Sequence, residues 1–551
     1  MKKLPPSEWN LSRRAFLGGT AAATALATLD ASASPDATKS LPAPFELEEA
    51  TVADLQAGMR EGKYTAHGLT ERYLSRIAAL DRTGPLPLSS VIEVNPDALA
   101  IAQALDEERR GKGARGPLHG IPVLLKDNIA TTDRMQTTAG SLALVGAVPP
   151  REAFLVAKLR AAGAVILGKT NLSEWANFRS TRSASGWSGR GGQCRNPYAL
   201  DRTPSGSSSG SGAATSANFC AVSVGTETDG SIVSPSSACS LVGLKPTVGL
   251  VSRAGIIPIS QSQDTAGPMT RTVADAAVLL TVLAGIDPAD AATARSEGHT
   301  GLDYTKFLDA DGLKGARIGV PREHYFGYHA ATDALAEQAL EVMRSKGAII
   351  IDPAPIPNVA KLQEHEFEVM LYEFKAGTEA WLASLGDKTK LRTLADLIRY
   401  NEEHSDRELP YFGQELFRQA QARGSLTDAK YRKALAACRK LSREQGLDAV
   451  MRKHRLDALV APTEAPPSLI DLVNGDHWLG SSSTPAAVSG HATLTVPAGY
   501  VRGLPVGLSF IGQAWSEPTL LKLAYAYEQA TRHRRPPGFL PTAELRLLAG
   551  R

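Results

Sequence analysis

The stretch from Ser180 to Ser240 limits most tightly what this chain can fold into. It is dense in glycine and serine, the composition of a flexible linker. At its centre, however, lies Ala213-Ala-Thr-Ser-Ala-Asn-Phe-Cys-Ala-Val-Ser-Val224, which is small and apolar. A linker has no use for such residues, whereas a helix and a strand packed closely together do. The segment therefore reads as folded core whose backbone approaches depend on glycine.

Around it, apolar periods alternate between helix and strand. Val52, Leu55, Met59, Leu69, Tyr73, Leu74 and Ile77 recur at helical spacing from 51 to 81, interrupted near Gly62. A second helix is expected over 95–110, opened by Asn-Pro-Asp with the proline at its first position. Gly120 to Ile129 reads as a buried strand ending in the polar Lys126, Asp127 and Asn128. Further helices are expected at 154–162, 172–178, 332–345 and 519–531, and strands at 164–167, 316–321, 348–351, 456–462 and 492–497. Residues 359–455, rich in Leu, Glu, Lys and Arg, read as a helical layer. The alternation predicts an α/β fold with helices on the faces of a sheet. No repeat of fixed period points to a solenoid or propeller.

The first 33 residues stand apart. Leu11-Ser-Arg-Arg-Ala-Phe-Leu17, an alanine-rich apolar run and Ala31-Ser-Ala33 form a basic region, a short apolar region and a cleavage site. The paired arginines resemble a bacterial twin-arginine export signal, so the chain is expected to be exported to the periplasm or secreted. The apolar run is shorter than the ~20 residues of a spanning helix. No later segment reaches 18 unbroken apolar residues, so the mature chain 34–551 is expected to be soluble, without stable membrane association. Sixty Lys and Arg against 57 Asp and Glu leave a net charge of +3. Such a balance, with no basic run, argues against a nucleic-acid partner. Four cysteines without a C-x-x-C pair indicate neither a zinc cluster nor a disulfide framework. Cys220 and Cys239, among small apolar residues, read as packing thiols.

Two motifs mislead. Gly163 to Thr170 matches G-x-x-x-x-G-K-[ST], but the four intervening residues are Ala, Val, Ile and Leu. They form the strand itself and leave no loop to cradle a phosphate. Gly206-Ser-Ser208-Ser-Gly210 matches G-x-S-x-G, but no apolar strand precedes it, and none of His477, His491 or His533 is marked as a partner.

Three other segments are more informative together: Leu124-Leu-Lys126-Asp-Asn128, Pro204-Ser-Gly-Ser207-Ser-Ser-Gly-Ser-Gly-Ala-Ala214 and Val224-Gly-Thr-Glu-Thr-Asp-Gly-Ser231-Ile-Val-Ser-Pro235. Jointly they resemble the amidase signature family, with its strand lysine, G-S-S-[GS]-G loop and G-[ST]-[DE]-T-x-G-S-I turn. The resemblance extends over 163–176, 243–247, 264–268, 496–499 and 504–507. Around Gly225–Val233 it is closest to bacterial peptide amidases.

The resemblance implies one catalytic domain, with a large mixed sheet covered by helices on both faces and helical additions. It implies an amide hydrolase with Ser231 as the acylated nucleophile, Ser207 as the bridging serine and Lys126 as the base. The family sets the two serines 24 positions apart, as here, which selects Ser207 over Ser208 and Ser209. A serine hydroxyl attacks only when something takes its proton, and a lysine can do so only when burial lowers its pKa from ~10.4. Val123-Leu-Leu125 supplies that desolvation. The N–H groups of Thr228, Asp229, Gly230 and Ser231 are expected to form the oxyanion site. No cofactor or metal is called for.

Two departures stand out. Asp229 replaces a frequent glycine, so its carboxylate must point away from the oxyanion or be neutralised. Val233 replaces a frequent arginine, which favours a less polar pocket. The loop at Trp187, the layer 359–455 and Trp478–Thr484 are expected to shape that pocket. The expected substrate is the C-terminal amide of a peptide. The alternatives are small, aryl or fatty amides, transamidation of charged tRNA, an esterase acting through Ser208, and an inactive binding protein. Oligomeric state is left open.

Overall fold

Eleven strands form one mixed sheet, and their order brings distant motifs together. The computed structural model describes residues 45–84 and 86–543; the expected leader lies outside them. In chain order the strands are β1 (Val91–Val94), β2 (Pro122–Lys126), β3 (Val165–Thr170), β4 (Val222–Glu227), β5 (Val242–Lys245), β6 (Thr265–Thr270), β7 (Arg317–Gly319), β8 (Ile349–Ile351), β9 (Ala458–Pro462), β10 (Thr493–Val501) and β11 (Leu504–Ile511). Across the sheet they run β1-β3-β2-β4-β6-β5-β10-β11-β9-β7-β8. β3, β2 and β4 are parallel. The middle from β4 to β9 is antiparallel, and β9, β7 and β8 are parallel again.

Every residue of β2, β3, β4 and β6 is buried. Strands buried on both sides need cover on both faces, and helices supply it. The register of β2 on β4 pairs Leu124 with Ser223 and Leu125 with Val224. Lys126 is thereby carried to the end of β4, where Thr226 lies.

The glycine-serine stretch is core, as its small apolar centre demanded. Ser209–Ser216 is a helix with every residue buried, and it leads into β4. At Gly210 a Cβ would stand 2.2 Å from the Ser90 carbonyl oxygen and 2.5 Å from that of Asn171. Only glycine permits this approach of helix to sheet.

The expected helices over 51–81 are Val52–Arg60 and Ala66–Leu80, divided around Gly62. The second expected helix begins later than the Asn-Pro-Asp signal implied, at Ala98, and runs to Lys112. The layer over 359–455 holds Leu362–Ser384, Leu394–Glu403, Glu415–Gln421, Ala429–Arg439 and Asp448–His454. Trp175 packs edge-on against Phe374 and Phe417 of this layer, which are tilted against each other.

The helix expected over 172–178 is absent. Only a short 3₁₀ turn, Glu174–Asn177, forms there, with left-handed φ at Trp175, Ala176 and Asn177. Tertiary bonds override the local period. Trp175 N–H donates to the Ala139 carbonyl at 3.0 Å, Gly189 N–H donates to Glu174 Oε2 at 2.7 Å, and buried Arg179 pairs with Glu174. Strands β1, β5, β6 and β11 and the helix Val273–Leu283 were not anticipated. β6 reads Thr-Ala-Gly-Pro-Met-Thr, with no alternation and two strand-breaking residues.

All four cysteines are buried free thiols. Among the described residues, no helix is long and apolar enough to cross a membrane.

Candidate active site

Lys126 ends β2 fully buried, and its Nζ lies 2.8 Å from Ser207 Oγ, 2.9 Å from Thr226 Oγ1 and 3.1 Å from the Thr226 carbonyl oxygen. Burial brings its pKa down to about 7, although Asp264 and Glu227 oppose the shift. The amine is thus within reach of its neutral form at ordinary pH. Neutral, it offers a lone pair to the Ser207 hydroxyl while its two hydrogens serve Thr226.

Ser207 sits in the turn ahead of the helix Ser209–Ser216, after a cis Gly206–Ser207 peptide. Its carbonyl accepts from Ser173 N–H at 3.1 Å. The neighbouring Ser208 is committed elsewhere: its hydroxyl donates to the Thr226 carbonyl at 3.0 Å and accepts Thr226 N–H at 3.2 Å. A hydroxyl saturated by strand backbone is a clamp between loop and sheet. This geometry speaks against the esterase alternative through Ser208.

Ser231 lies just after β4, on the turn between that strand and the helix Val233–Ala238. Its carbonyl accepts from Ser208 N–H at 3.2 Å, which holds the two serine loops together. The structure therefore joins Lys126 and Ser207 side chain to side chain, and brings Ser231 alongside through its backbone. Ser231 Oγ hydrogen-bonds no group among the described residues.

The turn's amides divide into two sets. Glu227 is buried, and its Oε2 accepts from Ile232 N–H at 2.7 Å and Val233 N–H at 3.0 Å. The N–H groups of Thr228, Asp229, Gly230 and Ser231 donate to no group among the described residues. Glu227 thus ties off the end of the run and leaves the expected oxyanion donors free. Gly230 has φ +80°, and a Cβ there would stand 3.0 Å from Ser234 Oγ and 3.1 Å from Ser483 Oγ. Glycine is what this tight turn requires.

Asp229 does point away. Thr484 Oγ1 donates to its Oδ2 at 2.7 Å, so its carboxyl is turned toward the 481–484 segment. Thr228 is anchored to Asp264, whose carboxylate accepts Thr228 Oγ1 at 2.6 Å and the N–H groups of Ile259 and Ser260, each at 2.9 Å. Burial raises the Asp264 pKa to about 6. Val233 is buried in the first helical turn.

Of the segments expected to shape the pocket, Thr484 reaches Asp229 directly, and Ser483 lies against Gly230. Trp187 is buried edge-on against Tyr411 and Phe412. Trp478 is 68% exposed. A cavity of about 790 Å³ abuts the cluster, lined by Asn128, Thr226, Thr228, Ile257, Asp264 and Trp381 among others.

Sequence reasoning missed Thr226, Asn128 and Asp264. Asn128 Nδ2 donates to Thr226 Oγ1 at 3.0 Å, so Thr226 links it to Lys126. Thr226 stands inside the Gly-Thr-Glu-Thr motif, and Asp264 opens a matched segment; their presence in motifs was the available signal. The misleading lysine of Gly163–Thr170 is structural. Lys169 is the next-to-last residue of β3, and its Nζ donates to the carbonyls of Ile129 and Gln136 and to Thr137 Oγ1 at 2.7–2.9 Å. His491 Nε2 pairs with Asp448 at 2.9 Å.

A mixed sheet under helices, with a buried lysine, a glycine-serine loop and a free-amide turn at one place, defines an amidase-signature hydrolase of C–N bonds. The chain belongs to the amidase family, whose model matches residues 68–521. It is 44% identical to a probable amidase of Arabidopsis thaliana over 506 residues, 90% of this chain and 93% of that one. It is 37% identical to one component of the glutamyl-tRNA(Gln) amidotransferase of Chloroflexus aurantiacus, over 89% and 99% of the two chains. Among solved structures, it is similar to the native peptide amidase of Stenotrophomonas maltophilia, with 55% identity and TM-score 0.86 over 90% of this chain and 100% of that one.

Proposed function

We propose that this chain hydrolyses the C-terminal carboxamide of peptides through an acyl-enzyme on Ser231, releasing ammonia and the free acid. The contact of Lys126 Nζ with Ser207 Oγ, at the buried end of β2, carries the mechanism. Neutral Lys126 takes the Ser207 proton as Ser207 takes that of Ser231, and Ser231 Oγ bonds to the amide carbon. The carbonyl oxygen gains the electron pair and lies against the free N–H groups of Thr228, Asp229, Gly230 and Ser231. Collapse breaks the C–N bond, and the proton returns from Lys126 through Ser207 to the departing nitrogen. A water then repeats the relay, cleaves the ester and regenerates Ser231.

The substrate class is supported by the 55% identity to a peptide amidase across that protein's whole length. The amidotransferase resemblance is lower, and the Ser-Arg-Arg-Ala-Phe-Leu leader suits an exported hydrolase rather than a partner of tRNA. Incubating a peptide amide and its homologue extended by one residue, with ammonia assay and product masses, tests the reading. Ammonia and the free acid are expected from the first and no cleavage from the second. Internal cleavage, or activity confined to aryl or fatty amides, would refute the substrate while leaving the Ser231 chemistry standing.

A further inference from the structure

The nucleophile turn carries a carboxylate whose second oxygen lacks an ordinary partner. Asp229 Oδ2 is served by Thr484 and the Ser483 hydroxyl also lies close to the carboxyl, but Oδ1 is buried without a hydrogen bond among the described residues. Leaving such an acceptor unpaired costs about 1–3 kcal/mol, more when it is charged. Another carboxyl reaches the same side chain. Glu366, on the helix Leu362–Ser384, is buried, and its side chain lies within hydrogen-bonding reach of Asp229. Glu366 Oε1 is itself held by Gln263 Nε2 at 2.8 Å.

Two carboxylates cannot share such a place ionised, but a carboxylic acid and a carboxylate can, and the acid then supplies the missing donor. The proton belongs on Glu366. Asp229 is approached by the Ser483 and Thr484 hydroxyls, which favour its charged form, whereas burial and the Asp229 charge both press Glu366 toward neutrality. The charged and titratable groups around the pair are few. Lys245 and Glu227 lie on the sheet side, Tyr325 near Asp229, and Cys438 near Glu366 on the neighbouring helix.

We propose that Glu366, as a neutral acid hydrogen-bonded to Asp229, is a positioning residue that holds the oxyanion turn in its working shape from the helical layer. Asp229 is bonded on one side by Thr484 and on the other by Glu366, so its N–H, and those of Thr228 and Gly230 beside it, are held fixed. Nothing in the Lys126–Ser207 relay touches Glu366. Its influence is therefore on stabilisation of the transition state, not on proton transfer or substrate affinity.

This inference rests on the proposed hydrolysis through Ser231 and its turn; two Glu366 variants test the inference, and a Ser231→Ala control separates its failure from failure of that reading. Glu366→Gln keeps a donor toward Asp229, whereas Glu366→Met keeps the size and removes the donor. Losing an oxyanion donor outright costs on the order of 10²–10³ in turnover. A displaced turn loses part of that, so Glu366→Met is expected to lower kcat about 10–100-fold with KM changed less than about 3-fold. Glu366→Gln restores kcat to within about 5-fold. As pH rises and Glu366 ionises, wild-type kcat falls at the alkaline end, and Glu366→Gln, which has no proton to lose, flattens that limb. Circular dichroism and thermal melting of both variants report folding. Wild-type kcat in Glu366→Met, equal losses in both variants, or an unchanged alkaline limb in Glu366→Gln would each overturn the proposal. Full activity in Ser231→Ala would overturn the underlying reading instead.

Discussion

Replacing Thr226 by valine tests how the pKa of Lys126 is set. The change is nearly isosteric and removes one oxygen, the acceptor 2.9 Å from Lys126 Nζ and 3.0 Å from Asn128 Nδ2. The carbonyl of Thr226 and the Ser207 hydroxyl remain. A hydrogen bond to a charged group contributes about 1.5–3 kcal/mol. It favours the ammonium over the amine, and 1.36 kcal/mol corresponds to one pKa unit. The neutral amine keeps a weaker bond of about 1 kcal/mol to the same oxygen, so only the difference counts, and the Lys126 pKa should fall from about 7 by roughly half a unit to one and a half units. The amine is then neutral over a wider range, so the acid limb of kcat/KM for a peptide amide moves to lower pH. Asn128 Nδ2 keeps only the Ile257 carbonyl at 3.4 Å, so stability also falls, by about 1–3 kcal/mol. The pH profile of kcat/KM from pH 4 to 9, together with urea unfolding, reads both effects. An acid limb that stays in place, or moves to higher pH, would refute the assignment of that limb to Lys126.

Two other substitutions probe the same cluster. Lys126→Arg keeps a cation of similar length that cannot be deprotonated at working pH, so turnover should fall by at least about 10³ despite the retained charge, as read by ammonia release. Ser208→Ala removes the clamp on Thr226 N–H and carbonyl and should lower stability by about 1–3 kcal/mol, yet a fluorophosphonate should still label Ser231. Ser231→Ala should abolish labelling, and label recovered from the 207–209 peptide would reverse the assignment.

Much of this could be read along the chain because it is local. The lysine closing an apolar run is a linear fact whose physical consequence is desolvation, and the spacing of the two serines was legible through the resemblance to the family. The α/β alternation followed from periodicity for the same reason. Small residues in the glycine-serine stretch announced close packing before any fold was known. Where local signals misled, tertiary bonds had overruled them, as at Glu174–Asn177, where Arg179, Gly189 and Ala139 set the backbone.

Other features exist only because the sheet is folded. Thr226 meets Lys126 across the β2–β4 register, at a sequence separation of 100. Ser208, which a motif marks as a nucleophile, is hydrogen-bonded by a strand backbone that the motif does not contain. Asp229 departs from the family pattern, and its carboxyl is oriented by Thr484, 255 residues away, and faced by Glu366 of the helical layer. The sequence supplied the candidate groups, a strand lysine and two serines matched through the family resemblance, since reactivity belongs to residue type and immediate neighbours. The tertiary structure decided which of them are desolvated, which are already hydrogen-bonded and which remain free, because burial and partnership come from segments far apart in the chain.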